Sequence, residues 1–256
     1  MSPNLIKTIR NLQQRKARRR TGLTRVEGVR LVEEAVRWRM EIVGVVTREV
    51  GTDERLADLV RVIEANVAVE RLPEGVFDDL ATADSPQGII AVVAHRPAPL
   101  DSLSGGMGRG YIAALDGIQD PGNVGTIIRS ARALRARAVV LLPGCADLLN
   151  PKVIRASMGA SFGWPVCTAS RDEMIAWTRG AGAELWIAEA GGDEAAPEVP
   201  QGGMTLVLGS EAAGVSADLA AAAVRSIGVN IGGDIDSLNV AVAAGILFDR
   251  VARSAE

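Results

Sequence analysis

Apolar residues fall in two kinds of run along this chain. Some recur every three or four positions, the period of a helix buried on one face. Others are continuous and short, as in a strand covered on both sides. In the N-terminal part the helical period covers 23–37, with Val26, Val29, Val32 and Val36 on one stripe, and also 55–65. Continuous runs predict strands at 41–47, 67–72 and 88–95, with a short helix over 73–81. The stretch Arg96–Gly110, RPAPLDSLSGGMGRG, then crowds proline, serine and glycine together. Such a composition predicts a linker over 97–110, dividing a domain at 1–96 from one at 111–256.

The second part alternates more regularly. Strands are predicted at 111–116, 138–143, 165–169, 184–189, 204–209 and 226–231. Helices are predicted between and after them at 123–136, 151–160, 171–180, 217–223 and 238–253. This order implies an α/β fold with a mostly parallel sheet covered on both faces. Ligands of such sheets bind at the carboxyl ends of the strands, in the loops that lead into helices.

Composition narrows the function classes. The 256 residues can bury a sizeable core, and the only cysteines, Cys145 and Cys167, sit in apolar or turn context, as buried free thiols do. The single histidine, His95, closes a strand; no His/Cys metal cluster can be built, and no metal is expected. A Ser-His-Asp triad would have to use His95 itself. No apolar run is long enough to span a membrane and the N-terminus lacks a signal-peptide core, so a cytoplasmic protein is expected.

Charge is unevenly spread. The total is −3, yet Lys7 to Arg30 holds nine bases (Lys7, Arg10, Arg15, Lys16, Arg18, Arg19, Arg20, Arg25 and Arg30) against one acid, Glu27, a local balance of +8. Clustered Lys and Arg release counterions from a phosphate backbone. Arg15, Lys16, Arg18, Arg19, Arg20 and Arg25 are therefore candidate RNA contacts, with a solvated helix end as the plainer explanation. Aromatic side chains are scarce, so base stacking is not the expected mode.

Three strand-to-helix loops carry the candidate chemistry. LDGIQDPGNVGTIIRSA (115–131) leads from a strand through Pro121-Gly122 into a helix bearing Asn123 and Arg129, nearly two turns apart. LVLGSEAAGVS (206–216) runs into Gly209, where a ligand can approach the backbone, then Ser210, Glu211 and Gly214. It lacks the GxGxxG spacing of a dinucleotide loop, and GGMGRG lacks the GK[ST] of a P-loop. NIGGDIDSLNVAVAAGILFDR (230–250) opens a helix expected from Leu238, capped by Asp236 or Ser237. Capping leaves Gly232, Gly233 and Asn239 unexplained.

Together these loops resemble the three motifs of the SpoU (TrmH-like) family of RNA ribose 2′-O-methyltransferases, in the SPOUT superfamily. The matching residues are Asn123, Gly125 and Arg129; Gly209, Glu211 and Gly214; and Gly233, Ser237, Leu238 and Asn239. The resemblance covers the second domain. The first is similar, more loosely, to the family's substrate-binding domain through RKARRRTGLTRVEGVRLVEEAV and SPQGIIAVVAH. One position departs: the third motif usually opens Ile-Pro-Met, and here reads Val229, Asn230, Ile231.

The resemblance implies a C-terminal SPOUT domain with a deep trefoil knot, after a smaller α/β substrate-binding domain. It implies S-adenosylmethionine as cofactor, held in a bent form by Leu208, Gly209, Ser210, Val229, Ile231, Leu238 and Asn239. It implies a homodimer through the C-terminal domain, and catalytic roles for Asn123, Arg129, Glu211, Ser237 and Asn239. Arg129 would bind the target phosphate or polarise the hydroxyl, since a guanidinium rarely gives up its proton. Glu211 would pair with Arg129 or fix the loops. The two-domain layout and basic arm point to ribosomal RNA, 23S above all. The alternatives are a tRNA methyltransferase or a catalytically silent RNA-binding homologue.

Overall fold

The computed structural model describes residues 3–49, 53–103, 108–194, 198–233 and 237–254. The chain forms two compact units: Met1–Arg96 with Asp147–Gly163, and Pro97–Ala146 with Trp164–Glu256.

The first unit opens with α1 (Pro3–Asn11) and α2 (Arg15–Thr21), which ends on Gly22. The helical stripe over 23–37 is divided: Leu23–Glu27 is strand β1, and only Val29–Arg37 is helix (α3). Gly28, with φ of 100°, makes the break. β1 pairs antiparallel along its whole length with β4 (Ile89–Ala94), so ladder hydrogen bonds override a helical spacing of valines. Next come β2 (Ile42–Arg48), α4 (Glu54–Glu64, capped by Asp53), β3 (Val69–Leu72) and α5 (Glu74–Asp78). The sheet order is β1-β4-β2-β3, mixed in direction. One apolar cluster joins Val26, Val32, Val45, Ile63 and Ala91 to Ile154 and Phe162 from the later segment. The other covers Ile9, Leu12, Val46, Phe77 and Val92.

The second unit starts within the expected linker. Ala98 donates its amide to Val166 O at 2.9 Å, and Leu100 and Leu103 of a single 3-10 turn (Leu100–Leu103) pack on the core. Ser104–Met107, the centre of that stretch, lies outside the described residues, as does Asp236. The strands are β5 (Tyr111–Asp116), β6 (Val139–Leu141), β7 (Val166–Thr168), β8 (Glu184–Asp193), β9 (Met204–Gly209) and β10 (Arg225–Ile227). They form one parallel six-stranded sheet, order β10-β8-β9-β5-β6-β7. Its helices are α6 (Pro121–Ala133), α8 (Arg171–Gly180), α9 (Ala217–Ala222) and α10 (Val240–Ser254). α7 (Pro151–Ala156) belongs to the segment that completes the first unit.

The strand predicted over 226–231 ends at Ile227. Gly228 there lies against the backbone of Glu189 and Gly192, and residues 229–231 leave the sheet as a loop. β9 sits centrally, between β8 and β5, and its carboxyl end at Gly209 is level with Asp116 of β5.

Candidate active site

The site is built where those two strands end. Asp116 leads into a turn, and α6 starts at Pro121, whose missing amide hydrogen costs nothing in a first turn. Asp120 caps the helix, accepting from Asn123 N at 2.7 Å, which fixes Asn123 in the first turn facing the loops. Gly209 turns the chain at the end of β9. A Cβ there would lie 2.1 Å from the carbonyl carbon of Gly214, so only glycine closes this loop. Ser210 and Gly214 exchange two backbone hydrogen bonds, 3.2 and 2.8 Å, and Ser210 Oγ accepts from Ala213 N at 3.1 Å.

α10 begins at Val240, two residues later than its sequence suggests. Ser237 is not the observed cap: Asn239 Oδ1 accepts from Ala241 N at 2.9 Å and so fills that role. Asn239 Nδ2 donates to Asn123 Oδ1 at 3.0 Å and to Glu211 Oε1 at 3.2 Å. Asn123 Nδ2 donates to the same Glu211 oxygen at 3.4 Å, and Val240 N does so at 3.1 Å. Glu211 Oε1, on the second loop, is thus the common acceptor for residues of the first and third, and its charge faces the amino end of α10, where an anion is favoured.

Two cavities meet at this cluster. The larger, about 430 Å³, is lined by Leu208, Gly209, Ser210, Glu211, Val229, Ile231, Ser237 and Leu238, with Ile187–Ala190 in the middle of β8 and Leu247 of α10. The smaller, about 300 Å³, is lined by Gly117–Asp120, Asn123, Ser210, Glu211, Ala212 and Val240. Ser210, Glu211 and Val240 belong to both walls.

Asn123, Glu211 and Asn239 therefore converge, and six of the seven candidate cofactor residues line the larger cavity. Asn239 does not line it; it stands in the hydrogen-bonded cluster. Arg129 is exposed on α6, lines neither cavity, and makes no hydrogen bond or ion pair with a described residue. Glu211 makes no ion pair with it and accepts instead from Asn123, Asn239 and Val240. Asn230 is exposed.

The basic run divides by helical face. Arg15, Lys16, Arg19 and Arg20 are exposed, at spacings of four. Arg18 and Arg25 correct the expected RNA footprint, because a buried guanidinium cannot release counterions from a backbone. Arg18, 4% exposed, pairs with Asp147 at 3.0 Å and donates to Leu12 O and Gln13 O. Arg25, 1% exposed, pairs with Glu27 at 2.9 Å and donates to Leu80 O at 2.7 Å. Burial pulls the Arg25 pKa down, with Glu27 opposing. Burial also disfavours charge on Glu27, but the Thr82 hydroxyl, the Ala83 and Thr82 amides and Arg25 outweigh it and hold that carboxyl below the usual range.

Sequence reasoning passed over Asp116, Arg171, Ser216 and the middle of β8. Asp116, 2% exposed, accepts from Arg171 and from Ser216 N. An acid closing an apolar strand was the available signal; its partners, 55 and 100 residues away, had none. Burial raises the thiol pKa of both cysteines, that of Cys167 to about 11. Among the described residues no group of acids, cysteines or histidine is arranged to hold a metal ion, and no helix is long and apolar enough to cross a membrane.

Fold and cavity together define a class: an α/β protein with a parallel sheet that binds a small organic ligand at its strand ends, beside a cluster of polar side chains. The comparisons then give the family. Residues 110–249 match the SpoU rRNA Methylase family and residues 4–91 the MRM3-like substrate binding domain. The chain belongs to the SpoU rRNA methylase family. It is 32% identical to the 23S rRNA (guanosine(2553)-2′-O)-methyltransferase RlmP of Bacillus subtilis, over 94% of this chain and 93% of that protein. It is 37% identical to the 23S rRNA (adenosine(1067)-2′-O)-methyltransferase of Streptomyces laurentii, over 62% of this chain and 58% of that one. Among solved structures, the AdoMet-bound rRNA methyltransferase from Sinorhizobium meliloti superposes with a TM-score of 0.87 at 28% identity, covering 99% of this chain and 95% of that one.

The cofactor fits the residues present. S-adenosylmethionine is the cofactor of the family, and a cavity of about 430 Å³ lies within the usual range for such ligands. Ile187, Leu208, Leu238 and Leu247 offer apolar walls, and the Gly209 backbone can be approached closely.

Proposed function

We propose that this protein methylates a ribose 2′-hydroxyl of ribosomal RNA, the 23S molecule first, with S-adenosylmethionine as donor. The observation that carries the reading is the Asn123–Glu211–Asn239 cluster, whose Glu211 stands on the wall shared by the two cavities. The larger cavity takes the cofactor, with Leu208, Gly209, Ser210, Val229, Ile231 and Leu238 against it. When bound, the cofactor supplies a methyl group on a sulfonium centre.

The chain's own contribution is mostly positioning, a term that can reach about 7–11 kcal/mol for well-aligned reactants. Glu211 holds Asn123 and Asn239 so that the Asn123 amide presents the ribose in the smaller cavity, with Asn239 beside it in the cluster and the Ser237 hydroxyl on the wall of the larger. Arg129, exposed and without a partner among the described residues, binds the target phosphate or polarises the hydroxyl as a fixed cation. Arg15, Lys16, Arg19 and Arg20 supply sequence-independent backbone contacts. RNA, a cytoplasmic setting and the trefoil threading of the C-terminal part complete the reading. We place the homodimer interface on the C-terminal domain, where Val242 of α10 is 52% exposed. The domain division we propose keeps 1–96 for RNA and 111–256 for catalysis, with 147–163 lent to the first unit.

Mapping 2′-O-methyl sites in ribosomal RNA from cells with and without the gene tests this. One 23S site should vanish with the gene. An unchanged ribosomal map beside a lost tRNA site would instead favour the tRNA alternative, and no change in either would favour a silent homologue.

A further inference from the structure

Asp116 stands at an unusual place. Its backbone pairs with Gly209 in the β5–β9 ladder, where the second motif loop begins. Its carboxylate Oδ2 accepts from Ser216 N at 2.9 Å, where that loop ends. One residue therefore grips both ends of the segment that carries Ser210, Glu211, Gly214 and Val215 to the cavity wall. Between those ends the segment is closed on itself by the Ser210–Gly214 backbone pair, so it moves as one piece on two attachments.

The carboxylate is 2% exposed, and a buried charge needs a partner. Arg171 supplies it, donating from Nε to Oδ1 at 2.9 Å, with Nη2 in ion-pair distance of the same oxygen at 2.7 Å. Arg171 is the first residue of α8, where Ser170 and Glu173 already form a capping box. A cation there opposes the helix dipole, so α8 gains nothing from it. Its position makes sense through Asp116: with Oδ1 saturated by the guanidinium, Oδ2 is turned to the Ser216 amide. Neither side chain lines the cavity.

We propose that the Asp116–Arg171 pair is a positioning device for the methyl-transfer reaction, clamping the Gly209–Ser216 loop so that the cofactor cavity and the Glu211 acceptor are formed before ligand arrives. The inference rests on the cavity being the S-adenosylmethionine site. The pair acts through the loop and touches neither reactant.

The test uses Arg171→Met, Arg171→Lys and the unaltered full-length chain. Arg171 is partly exposed, so its replacement spares the packing of the core. Calorimetric titration with S-adenosylmethionine should show binding about tenfold or more weaker in Arg171→Met, with much of the affinity restored in Arg171→Lys. Hydrogen exchange without ligand should quicken across 210–216 in Arg171→Met while 111–115 and 204–208 keep their protection. Loop exchange equal to that of the unaltered chain overturns the clamp, whatever binds. Exchange rising equally through both strands overturns it too, since the pair would then support the sheet at large. If the unaltered chain does not bind S-adenosylmethionine, the cofactor reading fails, and the exchange result still decides the clamp.

Discussion

The second motif loop and helix α2 use their polar side chains in opposite ways. In the loop, Glu211 gathers groups that lie 88, 28 and 29 residues away, and each contact draws one wall of a ligand site to another. In α2, five bases within six residues are sorted by helical face alone. Arg18 turns inward to Asp147, while Arg15, Lys16, Arg19 and Arg20 stay in water. The lesson is that local charge density says little about binding until the face is known. A polar residue at a strand end says more, because the sheet brings strand ends together.

The contrast can be broken at several points. The largest effect is expected from Arg18→Ala, which strands Asp147 in a nearly dry setting. Chemical denaturation should show a loss of about 3–5 kcal/mol. A loss below about 1 kcal/mol would make Arg18 a surface residue in effect and return it to the RNA footprint.

Asn239→Ala removes the cap of α10 and two bonds of the cluster. Steady-state methyl transfer should fall about 100-fold or more, since small misplacements of reacting groups cost that much. A variant that keeps its rate would separate the cluster from catalysis.

His95 gives a pH-dependent difference within the first unit. It is 6% exposed, edge-on to Phe162 at 5.5 Å between ring centres, and burial pulls its pKa from 6.5 down to about 4. The unfolded chain therefore takes up a proton first as pH falls. The stability His95 confers is complete above pH 6.5 and is lost as pH drops through about 4. The loss amounts to about 3 kcal/mol. His95→Phe should flatten this part of the stability curve, and an unaltered slope would assign it to other groups.

The smallest effect separates the outer face of α2 from the inner. Arg19→Ala with Arg20→Ala should leave the unfolding midpoint unchanged and lower the salt slope of RNA binding by about one per lost phosphate contact. The same slope as the unaltered protein would remove this face from the RNA surface.

Much of the second unit is legible in the sequence, because its signals are local. β5, α8 and β9 have the bounds that apolar runs and caps imply. The three loops announce themselves by glycine and amide residues at strand ends. What escapes is set by distant partners. β1 was hidden in a helical stripe because its ladder to β4 spans most of the first unit. Arg171 has no local mark as the partner of Asp116. The segment Asp147–Gly163 reads as part of the second domain and is packed with the first, through Arg18–Asp147 and the Thr24 hydroxyl on Leu149 O at 2.7 Å.

On the function we propose, three loops form one site for methyl transfer to ribose. This is tested most directly by incubating the purified chain with methyl-labelled S-adenosylmethionine and 23S ribosomal RNA that lacks the modification, then digesting the RNA to nucleosides. Label should appear in a single 2′-O-methylnucleoside and be absent with Asn239→Ala. Label on a base, or none on RNA from a chain that binds the cofactor, would contradict it.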